Sequence, residues 1–121
     1  MALKLQTRST ENIRIIDCSG DVDLYSSTDL RDTLLNEMRS GVPSILINMT
    51  NVAYIDSSGI ATLVEGLQLS RQTKTRFGLF GLKPNARSVL QLARLDKVFT
   101  TFADEQEAVV KIPTVQPFGG I

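Results

Sequence analysis

The stretch that decides the fold is VAYIDSSGI, which runs from Val52 to Ile60. Its apolar beginning gives way to carboxylate and hydroxyl side chains, the types that favour the first position of a helix. Asp56 therefore predicts a helix start. A helix start has unpaired backbone N–H groups and about half a positive charge. Carboxylate and hydroxyl side chains can cap such a helix start, or the helix start can bind an anion.

The segments on both sides of this turn fit a strand before it and a helix after it. Residues 44–49, SILINM, form a short apolar run typical of a buried central strand. After the turn, one helical face is marked at the i, i+3, i+4 and i+7 positions by Ile60, Leu63, Val64 and Leu67. The turn therefore connects a buried strand to an amphipathic helix.

The remaining segments continue this alternation. Residues 3–8 and 13–18 alternate like two strands of a hairpin, with a turn at residues 10–12. Capping residues at 25–29 precede a first helix that should end near Ser40. The later elements are a strand at 77–81, a helix from Pro84, a strand at 98–102 and a helix after Asp104 that Pro113 stops.

This order predicts the α/β class. We expect one domain with an N-terminal hairpin followed by alternating helices and strands, with a mixed sheet of about five strands and about four helices. The later strands should be parallel. The domain should span residues 1–112, and the Pro and Gly content of residues 113–121 favours a mobile C-terminal tail.

Composition narrows the function. The chain has 121 residues, of which 42% are hydrophobic and 21% charged, which fits one packed domain. Its 13 basic and 13 acidic residues balance without a basic cluster, so the usual charge pattern of nucleic-acid binding is missing. No apolar run approaches the length of a membrane span. We therefore expect no membrane insertion and a cytoplasmic location.

The absence of histidine removes much catalytic chemistry. Ser-His-Asp and Cys-His catalysis both need an imidazole base, and the chain has none. Its single cysteine, Cys18, cannot build a thiolate zinc site, and the alternation around it indicates a buried strand residue. We therefore expect a non-enzymatic protein with no catalytic residue, no metal site and no cofactor.

The adjacent serines Ser57 and Ser58 suggest a phosphorylation site. A phosphoserine would add about −1.5 to −2 charges beside Asp56, and near Asp21 and Asp23 if that loop lies at the same end of the sheet. The helix dipole favours this charge and the carboxylates oppose it, so the modification can repel a partner without unfolding the domain. The alternative is that Asp56, Ser57 and Ser58 only cap the helix.

Two motifs carry a resemblance to a known family. Gly20-Asp21-Val22-Asp23 after a hairpin, followed at the right separation by Asp56-Ser57-Ser58-Gly59 at a helix start, resembles the STAS domain of bacterial anti-sigma factor antagonists. The resemblance covers about residues 3–111. In that family the first serine after the aspartate accepts a phosphate. The resemblance therefore implies Ser57 as the phosphoacceptor, with Ser58 as the second choice.

The resemblance also implies a mechanism, partner switching. The unphosphorylated antagonist binds an anti-sigma factor that is also a GHKL-type serine kinase and so frees the sigma factor. Phosphorylation ends this binding, and a PP2C-type phosphatase restores it. ATP and magnesium would belong to the kinase. The implied partner contacts are Asp23, Asp56, Ser57, Ser58, Gly59 and Ile60, with Gly59 admitting a close approach by the partner's backbone or nucleotide.

The chain departs from the family pattern at two positions. Asn48 stands near the end of the central strand, where many relatives have an aspartate. Ala61 stands where several antagonists have a second glycine, and its methyl group would narrow the approach to the helix start.

Other functions remain as alternatives. A STAS domain can be a non-switching interaction module of a lipid-transport or stress-sensing complex, since a fold does not determine a function. A phosphoaspartate receiver, with Asp56 as acceptor and Asp21 and Asp23 as magnesium ligands, is disfavoured because the chain opens with a hairpin and has no lysine at the end of its last strand, residues 100–102. An esterase would need a base and a Gly-x-Ser-x-Gly motif, and both are missing.

Overall fold

The computed structural model describes residues 2–115. The strands are β1 (Lys4–Thr10), β2 (Ile13–Val22), β3 (Ser44–Ile55), β4 (Arg76–Phe80) and β5 (Thr100–Phe102). The helices are α1 (Ser27–Arg39), α2 (Ser57–Thr73), α3 (Pro84–Leu92) and α4 (Glu105–Lys111), followed by a 3-10 turn (Ile112–Thr114). The predicted α/β class, with five strands and four α-helices in the described part of the chain, is confirmed.

The strands form one mixed sheet in the order β1-β2-β3-β4-β5. β1 and β2 are the predicted hairpin, and the turn between them places Glu11 and Asn12 at φ of 48° and 69°, as a tight hairpin turn requires. β2 to β5 run parallel. Because parallel strands share a direction, the loops after their carboxyl ends meet at one edge of the sheet.

Helices cover both faces of the sheet. Strand residues alternate between the faces, so Ile16 and Ile47 join the larger core beneath α1, α2 and α3, whereas Ile15 and Leu46 pack with Ala108 on the α4 side. The larger core is completed by buried residues of α1 and α2, including Leu30, Leu34, Met38, Leu63 and Leu67.

β3 is longer than the apolar run at residues 44–49 indicated. It extends to Ile55 because it continues to pair with β2, where Val22 lies opposite Ile55. Its pairing with β4 ends at Asn48 and Phe80, so residues 49–55 project beyond β4. β5 is shorter than predicted, since the residues before Thr100 form a turn in which Phe99 is buried.

The described residues that follow the predicted boundary at residue 112 contact the rest of the fold. Ile112 is buried against the α4 side of the sheet, and the next residues continue the packing. The Nε of Arg76 donates a hydrogen bond to the carbonyl of Val115 at 3.0 Å. Val115 is thus in contact with β4, and the rest of the predicted tail, 116–121, lies outside the described residues.

An arginine attaches α4 to the hairpin. The Nε of Arg8 lies 2.7 Å from Asp17 Oδ2, and its Nη1 lies 2.9 Å from Glu105 Oε2. Hydrogen bonds from Arg8 lower the pKa of both carboxyl groups below their ordinary values. This contact links β1, β2 and α4 on the surface.

Cys18 is the buried strand residue that the alternation predicted. It is 2% exposed, and burial, together with the charge of Asp17, raises the pKa of its thiol to about 12. The thiol is therefore protonated near neutral pH.

Within residues 2–115, no helix combines the length and the apolar character needed to cross a membrane.

Candidate functional site

The candidate site lies where a backbone hydrogen bond joins the end of β2 to the start of α2. The N–H of Asp56 donates to the carbonyl of Val22 at 3.1 Å. Asp23 and Ser57 each come directly after a residue of this bond, so the β2–α1 loop and the β3–α2 turn lie side by side. Both loops therefore lie at one end of the sheet, which was the condition for a phosphate on the serines to lie near Asp23.

Asp56 caps α2 at the helix start that the sequence predicted. Its Oδ1 accepts hydrogen bonds from the N–H of Ser58 at 2.9 Å and of Gly59 at 3.2 Å. Its extended backbone, with φ −107° and ψ −171°, is typical of a capping residue. The carboxylate is therefore committed to the helix start. α2 has no acidic residue in its first turn, so Asp56 is the carboxylate that complements the dipole there.

The two serines differ in accessibility. Ser57 is exposed, and its hydroxyl makes no hydrogen bond within residues 2–115. Ser58 is half-buried at the second helical position, where its carbonyl accepts a hydrogen bond from Thr62 Oγ1 at 3.1 Å. The side-chain capping of α2 is done by Asp56 and leaves the hydroxyl of Ser57 free for another role.

Asp23 supplies a fixed negative charge next to this turn. Its Oδ1 accepts hydrogen bonds from the N–H groups of Tyr25 and Ser26, both at 3.0 Å. Desolvation favours the neutral acid, but the hydrogen bonds from Ser26 and Tyr25 outweigh it and hold the pKa of Asp23 below its ordinary value. The carboxylate is therefore ionised at neutral pH, and its loop is ordered.

The structure shows a packing role for Gly59 in addition to the partner contact that the resemblance implied. A Cβ at this position would lie 2.5 Å from Ile55 Cγ1 and 2.7 Å from Val22 Cγ1, so the missing side chain would point into the core. Internal packing therefore favours glycine at this position, and the implied contact with a partner stays a prediction. Ile60 is also buried, at 7% exposure, and lies beneath the site.

The two departures from the family pattern lie in different places. Ala61 is exposed on the first turns of α2, near the site. Asn48 lies about 23 Å from Ile55 along the extended strand. There its Nδ2 donates to Asp17 Oδ1 at 2.8 Å. An amide is suited to this position because it can donate to a carboxylate, which an aspartate at neutral pH cannot do.

Several residues near the site were not found from the sequence. Leu24 and Tyr25 follow Asp23 and are strongly exposed, Tyr25 at 91%, and Tyr54 is exposed near the end of β3. Asn85, at the start of α3, accepts a hydrogen bond from the N–H of Ile55 at 3.0 Å. No local pattern reveals this last contact, because its partners are far apart in the chain.

Acidic residues surround the loops, but the described residues place no three potential ligands of the His, Cys, Asp and Glu types where they could hold a metal ion.

The fold and the site define a small α/β domain that exposes a serine at a helix start, on the carboxyl edge of a mixed sheet. The family model of the STAS domain matches residues 4–108, and the chain belongs to this family.

Relatives and solved structures agree with this assignment. The chain is 23% identical over 95 residues to the anti-sigma-B factor antagonist of Staphylococcus aureus, which covers 78% of this chain and 88% of that protein. The structure of an anti-sigma factor antagonist from Mycobacterium paratuberculosis matches this chain with a TM-score of 0.85 at 18% identity. The match covers 93% of this chain and 95% of that one. The structure of the Bacillus cell fate determinant SpoIIAA in its phosphorylated form matches with a TM-score of 0.70 at 22% identity. This match covers 92% of this chain and 99% of that one. At these identities, the structures show a shared fold.

Proposed function

We propose that the protein is an anti-sigma factor antagonist that acts by partner switching. In its unphosphorylated form it binds an anti-sigma factor that is also a GHKL-type serine kinase, and the sigma factor is released. Phosphorylation of Ser57 ends the binding, and a PP2C-type phosphatase reverses it. The protein thus regulates transcription in the cytoplasm. The observation that carries this proposal is the exposed Ser57 hydroxyl, without a hydrogen bond in the described chain, next to the Asp56 cap.

The relatives support the proposal through their names. Several are anti-sigma-B factor antagonists, and one structural neighbour of the same fold exists in a phosphorylated form. The charge balance of the site supports it as well. A phosphate on Ser57 would add about −1.5 to −2 charges at neutral pH, on a surface where Asp23 is already ionised.

The phosphate would change the surface more than the fold. Ser57 is the first residue of α2, where the helix dipole favours a negative charge and the first turn has no acidic side chain. The helix can therefore hold the phosphate, whereas a partner that fits the neutral hydroxyl must also accept a dianion beside Asp23. A loss of about 1.4 kcal/mol in binding free energy lowers the affinity tenfold.

The chemistry of the transfer would come from the partner. The bond between the β,γ-bridging oxygen and the γ-phosphorus of ATP breaks, a bond from that phosphorus to Ser57 Oγ forms, and the hydroxyl proton passes to a base. This chain has no histidine, and the nearby Asp56 carboxylate is engaged by two backbone N–H groups. The kinase would therefore supply the base, ATP and magnesium.

Phosphorylation by the cognate kinase tests the acceptor. Wild-type protein incubated with that kinase and ATP should gain one phosphate, and peptide mass spectrometry should locate it on Ser57. Ser57→Ala should remain unmodified, whereas Ser58→Ala, the matched control, should be modified normally. A phosphate found only outside residues 57–58, or none with a kinase that is active on another substrate, would contradict the assignment.

Calorimetric titration with the same partner tests the switch. Ser57→Asp should bind at least about tenfold more weakly than the wild type, and Ser57→Ala should bind normally. Gln106→Asp is the charge control, because it adds the same charge at an exposed position in the first turn of α4. Equal affinity of the wild type and Ser57→Asp would exclude charge repulsion. Binding without any phosphorylation would favour a non-switching STAS interaction module.

A further inference from the structure

The end of β3 is held from two opposite sides immediately before Ser57. The N–H of Asp56 donates to the carbonyl of Val22 at 3.1 Å, on the β2 side. The N–H of Ile55 donates to the side-chain Oδ1 of Asn85, in the first turn of α3, at 3.0 Å. Successive N–H groups of an extended strand point to opposite edges. The two bonds therefore fix the strand end between β2 and α3.

Asn85 supplies an acceptor where the sheet has none. The ladder between β3 and β4 ends at Asn48 and Phe80, so no strand of the described chain pairs with that edge of β3 near Ile55. Ile55 itself is a core residue, at 1% exposure. The amide oxygen of Asn85 takes the place of a strand carbonyl at the last residue before the cap.

The packing of α3 determines where this acceptor lies. At Gly81, with φ of 75°, a Cβ would come within 2.3 Å of Thr50 Oγ1, so the chain turns closely over the projecting part of β3. The next residue after Asn85, Ala86, is buried in the main core. Asn85 is the second residue of α3, whose capping residue is Lys83, and its side-chain oxygen accepts the hydrogen bond from Ile55.

We propose that Asn85 is a positioning residue for the phosphorylation of Ser57. The inference rests on the proposed function and assigns a residue outside both sequence motifs to it. Asn85 holds Ile55, two residues before the acceptor, and the backbone between them carries that restraint to the hydroxyl. Phosphoryl transfer depends on the alignment of the attacking oxygen, and a small displacement can lower its rate by up to about 100-fold.

The experiment compares phosphorylation kinetics of the full chain with the cognate kinase and ATP. With Asn85→Ala as its substrate, the kinase should show a kcat at least about fivefold lower and a KM within about twofold of the wild-type value. The reason is that docking of the kinase depends on the exposed surface of the protein, whereas phosphoryl transfer depends on the alignment of the Ser57 hydroxyl. Asn85→Asp should keep at least about a third of the wild-type kcat at 0.15 M salt, since a carboxylate oxygen accepts the same bond and salt screens its charge.

Asp104→Ala is the matched control. It removes the cap of α4, which lies on the other face of the sheet, and so destabilises the protein without touching the β3 end. Asn85 is exposed, so its truncation leaves no cavity in the core. If Asn85→Ala nevertheless fails to fold, Asn85→Ser, whose shorter side chain does not reach Ile55, replaces it in the same comparison.

The outcomes separate the two proposals. If the wild type is not phosphorylated on Ser57, the proposed function fails, and the inference fails with it. If the wild type is phosphorylated and Asn85→Ala is slowed no more than Asp104→Ala, only the positioning role is overturned. The same holds if Asn85→Asp is as slow as Asn85→Ala, because the acceptor would then not matter.

Discussion

Helices α2 and α4 begin in nearly the same way and differ in what they leave available. Asp56 caps α2 by accepting two backbone N–H groups, and Asp104 caps α4 by accepting that of Glu107 at 2.9 Å. The first turn of α4 also contains Glu105 and Glu107, whereas the first turn of α2 contains no acidic residue. One helix start is therefore already supplied with negative charge, and the other can receive it.

The comparison shows that two capped helix starts can differ in whether the next side chain is free to react. At α4, Glu105 is paired with Arg8 on the hairpin, so the charge at that helix start serves packing. At α2, the first residue is Ser57, whose hydroxyl is exposed and without a hydrogen bond in the described structure. The difference lies in whether the residue after the cap has a structural partner.

Substitutions at the third residue of α2 and of α4 should give the largest difference in the free energy of unfolding. Gly59→Ala should lower the free energy of unfolding by about 1–3 kcal/mol, because its Cβ overlaps Ile55 and Val22, despite the higher helix propensity of alanine. Glu107→Ala, the equivalent change in α4, should cost less than about 1 kcal/mol. Urea denaturation measures both. A stabilised Gly59→Ala would show that the core can accept the methyl group.

Removal of the two capping side chains should give a smaller difference in the free energy of unfolding. Asp56→Ala and Asp104→Ala should each lower the free energy of unfolding by about 0.5–2 kcal/mol. The loss should be larger for Asp56, which accepts two N–H groups and has no neighbouring acidic residue in the first turn. The same denaturation curves test this ranking, and an equal loss would mean that the acidic residues of α4 add nothing to its cap.

The ion pairs of Arg8 with Asp17 and Glu105, which attach α4 to the hairpin, should make the stability of the protein sensitive to acid. Arg8 lowers the pKa of Asp17 and Glu105 in the folded state, so their contribution to stability is present above the unfolded values, near 4, and is lost as the pH falls through the lower folded values. Because these side chains are partly exposed to solvent, the effect should be at most about 1 kcal/mol.

Thermal unfolding between pH 6 and pH 3 measures this effect. Arg8→Met keeps an apolar stem and removes the charge, so the variant should lose less stability on acidification than the wild type. Parallel curves for the two proteins would show that the network contributes no pH-dependent stability.

The smallest effect should come from a charge at Ser57 itself. Ser57→Asp should change the free energy of unfolding by less than about 0.5 kcal/mol, because the dipole of α2 favours the charge while Asp23 opposes it. Circular dichroism during urea unfolding provides the measurement. A loss above about 1 kcal/mol would mean that the charge disturbs the fold, and the weaker partner binding expected of this variant would then have a different cause.

Local signals made most of the site predictable. The capping residue, the two serines and the glycine lie within four positions, and the spacing of apolar residues after them fixes the direction of α2. The hairpin was equally predictable, since its turn and both strands are consecutive. These features depend on neighbours in the chain, which is the information that a single sequence carries.

The rest depends on contacts between distant segments. The end of β3 was missed because the polar residues Thr50 and Asn51 interrupt the apolar run that marked its first half. It is a strand because it pairs with β2. Likewise, the bond from Arg8 to Glu105 joins residues 97 positions apart, and no spacing rule predicts it.

The burial of Cys18 gives the chain an intrinsic reporter. The chain has one cysteine, and it is 2% exposed with a thiol pKa raised to about 12. Alkylating reagents attack the thiolate, so the native protein should be almost inert to them. Once β2 leaves the sheet, the thiol returns to its ordinary acidity and reacts. The rate of labelling therefore reports how often the sheet opens, without any engineered label.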